Sequence, residues 1–249
     1  MWMALLAGLM LVGCASGNKE EAQPTPEATA EATAEATAEP AVEAPAENLA
    51  GGWTVNTDFH QTYEEADLQR FEKAMEGLVG VSYTPVQVVA TQVVNGTNYA
   101  YIASGATVTA TPETNYYVVT VNENTAGEVS VVAINKIDLA DVKTADAAAG
   151  GALGGWQITD TGKPGMLPGE DAQASFDAAT KDGEVMLNPV VLLGSQVVAG
   201  TNYEAICRGK GADGNVNLYA VKWFAGVNGD NEVLEEGLFD LAYYVTPQN

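Results

Sequence analysis

The sequence predicts an α+β protein of two tandem units, each a single helix packed across an antiparallel sheet of four to five strands. Three observations carry this reading. An octapeptide occurs twice, as Gln92-Val93-Val94-Asn95-Gly96-Thr97-Asn98-Tyr99 and as Gln196-Val197-Val198-Ala199-Gly200-Thr201-Asn202-Tyr203. Other landmarks repeat in the same order: Gly51-Gly52-Trp53 answers Gly154-Gly155-Trp156 at an offset of 103, and Pro85 answers Pro189 at 104. In each copy a helical periodicity precedes runs of β-branched residues.

Taken in order, residues 1–14 come first. An apolar run ends in Leu11-Val12-Gly13-Cys14. It is shorter than the roughly 20 residues that span a bilayer and fits the core of a secretion signal. Its end resembles the lipobox of bacterial lipoproteins, which implies cleavage before Cys14 and lipidation of that thiol, although no Lys or Arg precedes the run. Residues 15–50 follow, with eight Glu, one Lys, repeating Ala-Thr-Ala-Glu and scattered Pro. Such a segment lacks the large apolar side chains needed for a core and reads as a solvated acidic stalk. These segments predict an extracytoplasmic protein anchored to the bacterial cell membrane through Cys14 alone.

The first unit is expected at 51–143, a linker rich in Ala and Gly at 144–153, and the second unit at 154–249. In the first, Leu68, Phe71, Met75 and Leu78 share one helical face, Thr62 and Glu65 have the spacing of a capping box, and Gly77 and Gly80 close the helix. The second has a weaker helix over 170–180, with Ala172, Phe176 and Ala179 inward. Extended runs follow each helix. Asn95-Gly96 is a strong hairpin signal and Ala199-Gly200 a softer one. The runs 115–121 and 128–139 predict the next strand pair of the first unit, and 217–227 and 232–245 that of the second.

The charge balance, 33 acidic against 10 basic side chains and a net charge of −23, argues against nucleic acid or an anionic membrane surface as an electrostatic partner. No spacing suits a metal site or a phosphate loop, so no cofactor is expected. His60 is the single histidine, and Cys207 the single thiol besides Cys14. They lie in different units, which disfavours a Cys–His enzyme; the thiol reads as a small buried apolar side chain. Glu64-Glu65 and Glu235-Glu236 read as solvated faces rather than acid–base pairs.

With Gly-Gly at the start, one helix, and Gln-x-Val-x-Gly at the following hairpin, each unit resembles the cystatins, in particular the stefin branch. The segment Val221–Gly237 is similar to the stefin strand–loop–strand beyond that hairpin. The resemblance implies two tandem cystatin-like domains and a reversible inhibitor of papain-like cysteine proteases, whether of host, competitor or endogenous origin. Members of that family insert a glycine trunk and two hairpin tips into the protease cleft as a wedge. Carried over by position, the wedge of the second unit comprises Leu153, Gly154 and Gly155, then Gln196, Val197, Val198, Ala199 and Gly200, then Val227, Asn228 and Gly229. That of the first comprises Gly51 and Gly52, then Gln92, Val93, Val94, Asn95 and Gly96. The second unit is expected to be the better inhibitor, because Ala50 is a poorer plug than Leu153 and Asn95 adds polar bulk. The second loop departs from the family pattern: Val227-Asn228-Gly229 has neither the proline nor the aromatic expected there, and Trp223 is a candidate substitute contact. Two alternatives remain open at this stage. The octapeptide is a structural element only, or the units are non-inhibitory protein-binding modules on the cell surface.

Overall fold

The computed structural model describes residues 52–58, 64–139, 142, 155–159 and 169–248. The leader with Cys14, the stalk, Gly51, His60, Thr62, the 144–153 linker with Leu153, and Gly154 lie outside the described residues. Both lobes belong to a single compact unit.

The first lobe runs β1 (Trp53–Val55), α1 (Glu65–Met75), β2 (Val81–Val94), β3 (Gly96–Thr107), β4 (Thr114–Glu123) and β5 (Val129–Ile137). The second repeats it as β6 (Trp156–Ile158), α2 (Glu170–Thr180), β7 (Met186–Val197), β8 (Gly200–Lys210), β9 (Val216–Gly226) and β10 (Asn231–Leu238). Each sheet is a five-stranded antiparallel meander in sequence order, with the helix inserted between its first two strands. Pro85 and Pro189 sit at β-bulges of β2 and β7, where a ladder tolerates a missing N–H.

Helix α2 occupies the predicted span and buries Ala172 and Phe176. Helix α1 is shorter than the periodicity suggests. It starts at Glu65 and stops at Met75, buries Phe71 and Ala74, and leaves Leu78 outside and exposed. Gly77 takes a left-handed φ of 82° and turns the chain before Leu78 can join the helical face. Glu64, not Thr62, is the N-cap, with no side-chain capping bond, so the expected capping box is corrected.

A further correction concerns the run 232–245. Its strand ends at Leu238, and Leu241–Val245 forms a short helix, α3, capped by Asp240 accepting from the Tyr243 N–H. This helix packs against the first lobe: Asn135 of β5 donates to the Tyr244 and Thr246 carbonyls.

The helices occupy one face of each sheet, and the other two faces meet. Phe71, Val88, Tyr101, Val119 and Val121 form the helix-side core of the first lobe. Phe176, Leu192, Cys207, Val221 and Trp223 form that of the second. The largest core lies between the sheets. It draws evenly on both lobes, with Val55, Ile102, Val118 and Ile137 from one side and Val190, Leu193, Ile206 and Leu218 from the other. The result is a four-layer helix–sheet–sheet–helix arrangement. At about 1.5–3 kcal/mol per fully buried large side chain, this shared layer is a main source of stability. The two units are therefore fused back to back rather than merely strung in tandem.

Candidate functional site

Register places the described wedge residues, Gly52 and Gln92–Gly96 in the first lobe and Gly155, Gln196–Gly200 and Val227–Gly229 in the second, at one end of each sheet, here called its tip. In the second lobe Trp156 pairs with Gln196, Gln196 with Asn202, and Gly200 with Gly226. The start of β6, the β7–β8 turn and the β9–β10 turn therefore lie side by side; a Cβ at Gly155 would sit 3.8 Å from Gln196 Nε2. In the first lobe Trp53 pairs with Gln92 and Thr97 with Glu123, bringing the corresponding three segments together.

The octapeptide divides into two kinds of residue. Several positions have a structural reason. Asn98 Nδ2 donates to Gln92 Oε1 at 2.8 Å, and Asn202 Nδ2 to Gln196 Oε1 at 3.0 Å, so each Gln–Asn pair bridges its hairpin. In the first lobe Asn122 Nδ2 extends the ladder to Asn98 Oδ1. The glycines are required by closeness: a Cβ at Gly96 would strike the Glu123 carbonyl, and one at Gly200 the Ala225 carbonyl and the Phe224 ring. The tyrosines pack on the helix side, Tyr203 stacked on Trp223 and Tyr99 under the Arg70 guanidinium at 3.7 Å.

The valines have no such reason. Val93 is 86% exposed and Val197 81%, with Val94 and Val198 also exposed. In the β9–β10 turn Val227 is 82% exposed, beside Asn228 and Gly229. Gly229 has φ 84°, which sets this turn. Ala199 and Asn95 are exposed at the turns between. Three apolar side chains thus project from the tip of the second lobe and two from that of the first.

The matching loop of the first lobe is polar and tied down. Arg70 Nε donates to Glu123 Oε2 at 2.7 Å, its Nη1 to Asp67 Oδ1, and Lys73 Nζ to the Gly127 carbonyl. Asn124 Oδ1 accepts from the Ala126 and Glu128 N–H groups within the loop. Its exposed positions, Thr125, Ala126, Gly127 and Glu128, carry no large apolar side chain.

Trp223 is corrected as a candidate contact. It is fully buried on the helix side of β9, edge-on to Phe176, and its indole N–H donates to Ser175 Oγ. The alternation that places Trp223 on the helix side turns Lys222 to the other face of the sheet, the one that carries Glu204, where it meets Glu235 at 3.1 Å. Trp53 is likewise core, whereas Trp156 is half-buried beside Lys222.

Cys207 is enclosed in the second helix-side core, where burial pushes its thiol up and holds it protonated. Among the described residues no group of three or more His, Cys, Asp or Glu is placed to hold a metal ion, and no helix is long and apolar enough to cross a membrane.

Sequence reading missed the charged groups on the sheet face between the lobes. Arg208 Nη1 donates to Gln87 Oε1 at 3.0 Å and Nη2 to the Val88 carbonyl at 3.1 Å, crossing from one lobe to the other. Desolvation lowers its pKa to about 10. Glu204, four residues back on the same face, has an Oε2 with no hydrogen-bond partner, and burial raises its pKa to about 7 despite Lys222 nearby. The signal was present, since the two charges bracket the apolar run Ala205-Ile206-Cys207.

No family model matches the chain, and a search of curated proteins finds none that matches it. The architecture agrees with a cystatin-like shape in each lobe: one helix across a five-stranded antiparallel meander.

Proposed function

We propose that this protein is a membrane-anchored, reversible inhibitor of papain-like cysteine proteases that occludes the target's active-site cleft with its strand tips. The observation that carries the reading is the exposure of Val197, Val198 and Val227 on one edge beside Gly155. Apolar side chains on a narrow projecting edge are costly in water and suit insertion into an apolar cleft. Leu153 and Gly154 are proposed as the trunk and Gln196–Gly200 as the first loop, with Val227, Asn228 and Gly229 as the second. Gly51, Gly52 and Gln92–Gly96 form the weaker counterpart, because the second loop of that lobe is polar and pinned. The domain bounds 51–143 and 154–249, the acidic stalk, and anchorage through a lipidated Cys14 belong to the same proposal.

Titration of papain with the full chain in detergent tests it. Inhibition is expected at micromolar concentration or below, weakened at least tenfold by Val197→Glu with Val198→Glu. Gly200→Arg is an unsuitable control, because any side chain there strikes β9 and distorts the fold. Absence of inhibition by a folded chain would sink the reading.

A second reading has one observation in its favour. The Gln, Asn, Gly and Tyr of the octapeptide are accounted for by the hairpin itself. A non-inhibitory binding module would use the same exposed valines on another partner. It predicts that the chain leaves papain untouched while the valine substitutions abolish capture of that partner.

A further inference from the structure

We infer that one chain holds two target molecules at once, at opposite ends, and does not engage a single target with both lobes. This rests on the proposed wedge function and adds its geometry and stoichiometry.

The two sheets pack with their tips pointing in opposite directions, and contacts at both ends of the shared layer establish it. At one end, the base of the first lobe meets the tip half of the second. Tyr116 and Ile137 pair at that base, and Leu139 follows. The Tyr116 hydroxyl donates to the Thr159 carbonyl at 2.7 Å, one residue beyond β6. A Cβ at Gly194, two residues before Gln196, would lie 2.7 Å from Leu139 Cδ1. At the other end, the tip half of the first lobe meets segments that follow the base of the second. Trp53, Gln92 and Asn98 line a small cavity of about 270 Å³ together with Ala242, Val245 and Thr246. That stretch follows β10, whose last residue pairs with Tyr219 at the base of the second sheet. Arg208, near the base of β8, reaches across to Gln87 and Val88 midway along β2.

Two consequences follow. A cleft wide enough for one tip cannot reach the other, because a whole sheet length separates them. A β-strand rises about 3.3 Å per residue, so twelve-residue strands hold the tips roughly 40 Å apart. Linked sites raise avidity only when one target spans both; here the fused lobes forbid it for a single protease. The two ends also face opposite ways, so a target seated at one leaves the other open.

Native mass spectrometry of the full chain from detergent, titrated with papain whose thiol carries a methylthio cap, tests the inference. Two papain molecules per chain are expected at saturation. Val197→Glu with Val198→Glu is expected to leave one bound, Val93→Glu with Val94→Glu to leave one bound, and all four substitutions to leave none. These side chains are exposed, so the variants are expected to keep the parent's circular dichroism and melting curve. A single papain at saturation, lost with either pair of substitutions, would show both tips in one complex and overturn the inference while leaving the inhibitory reading intact. A single papain lost with only one pair would overturn the two-target claim in the same way. No papain at all would overturn the inhibitory reading itself, and this inference with it.

Discussion

Glu204 offers the sharpest test of the shared layer. Its carboxylate is buried on the face of β8 that also carries Ile206 and Arg208, and Oε2 lacks a hydrogen-bond partner. Burial raises its pKa from 4.5 to about 7, with Lys222 pulling it back down and Glu235 pushing it up. The folded state therefore binds a proton more tightly than the unfolded chain. Between these two values the native state holds more protons, so stability falls as pH rises. The contribution is fully present below about 4.5 and is lost as pH climbs through about 7. A rise of this size is worth on the order of 3 kcal/mol once both states are ionised. Glu204→Gln mimics the protonated carboxyl without the titration. Between about pH 5 and pH 8.5 its stability advantage over the parent chain is expected to grow by roughly 2.5 kcal/mol, read as about 5–10 °C in Tm. Comparing the two chains at each pH cancels the many other carboxylates. Thermal unfolding followed by circular dichroism at each pH is the assay. An advantage that stays constant across this range would refute the claim that Glu204 is held desolvated between the sheets.

Two further outcomes follow from the same layer and from the helix-side core. Residues 154–249 expressed alone would expose Val190, Leu193, Ile206 and Leu218, and are expected to bind a hydrophobic dye and lose cooperative unfolding; a sharp transition matching the full chain would refute fusion of the lobes. Cys207 is expected to resist a disulfide reagent in the folded chain and to react once in denaturant, whereas reaction at a free-thiol rate in the native chain would refute its burial.

Much of the fold was legible because duplication supplied a second reading of every element. The weak α2 pattern around Ala172 and Phe176 gains weight from the stronger α1, and the Gln-to-Tyr octapeptide fixes the hairpin twice. The errors came where tertiary contacts override local pattern. Leu78 continues the α1 periodicity, yet Gly77 ends the helix first. The apolar residues 241–245 suit a strand, but Asp240 caps a helical turn there, and Asn135 on the other lobe takes the carbonyls at its end. The back-to-back packing had a visible signal in Val88–Ala90 and Val190–Leu193. Unbroken apolar runs of this kind mark strands covered on both faces, whereas a half-solvated sheet alternates. At the candidate site, composition located the valines, while only the register explained why the neighbouring Gln, Asn and Gly are present at all.

The bond from Asn135 to the Tyr244 carbonyl joins residues 109 positions apart, and it seals the first lobe with a segment made long after that lobe. Until the second lobe has been made, Ile102, Val118 and Ile137 lack the sheet face they lie against. Maturation is thus gated by completion of translation. Each half-made chain presents a greasy sheet face, vulnerable to proteolysis or to pairing with a sibling, and slow closure of long-range contacts prolongs that interval.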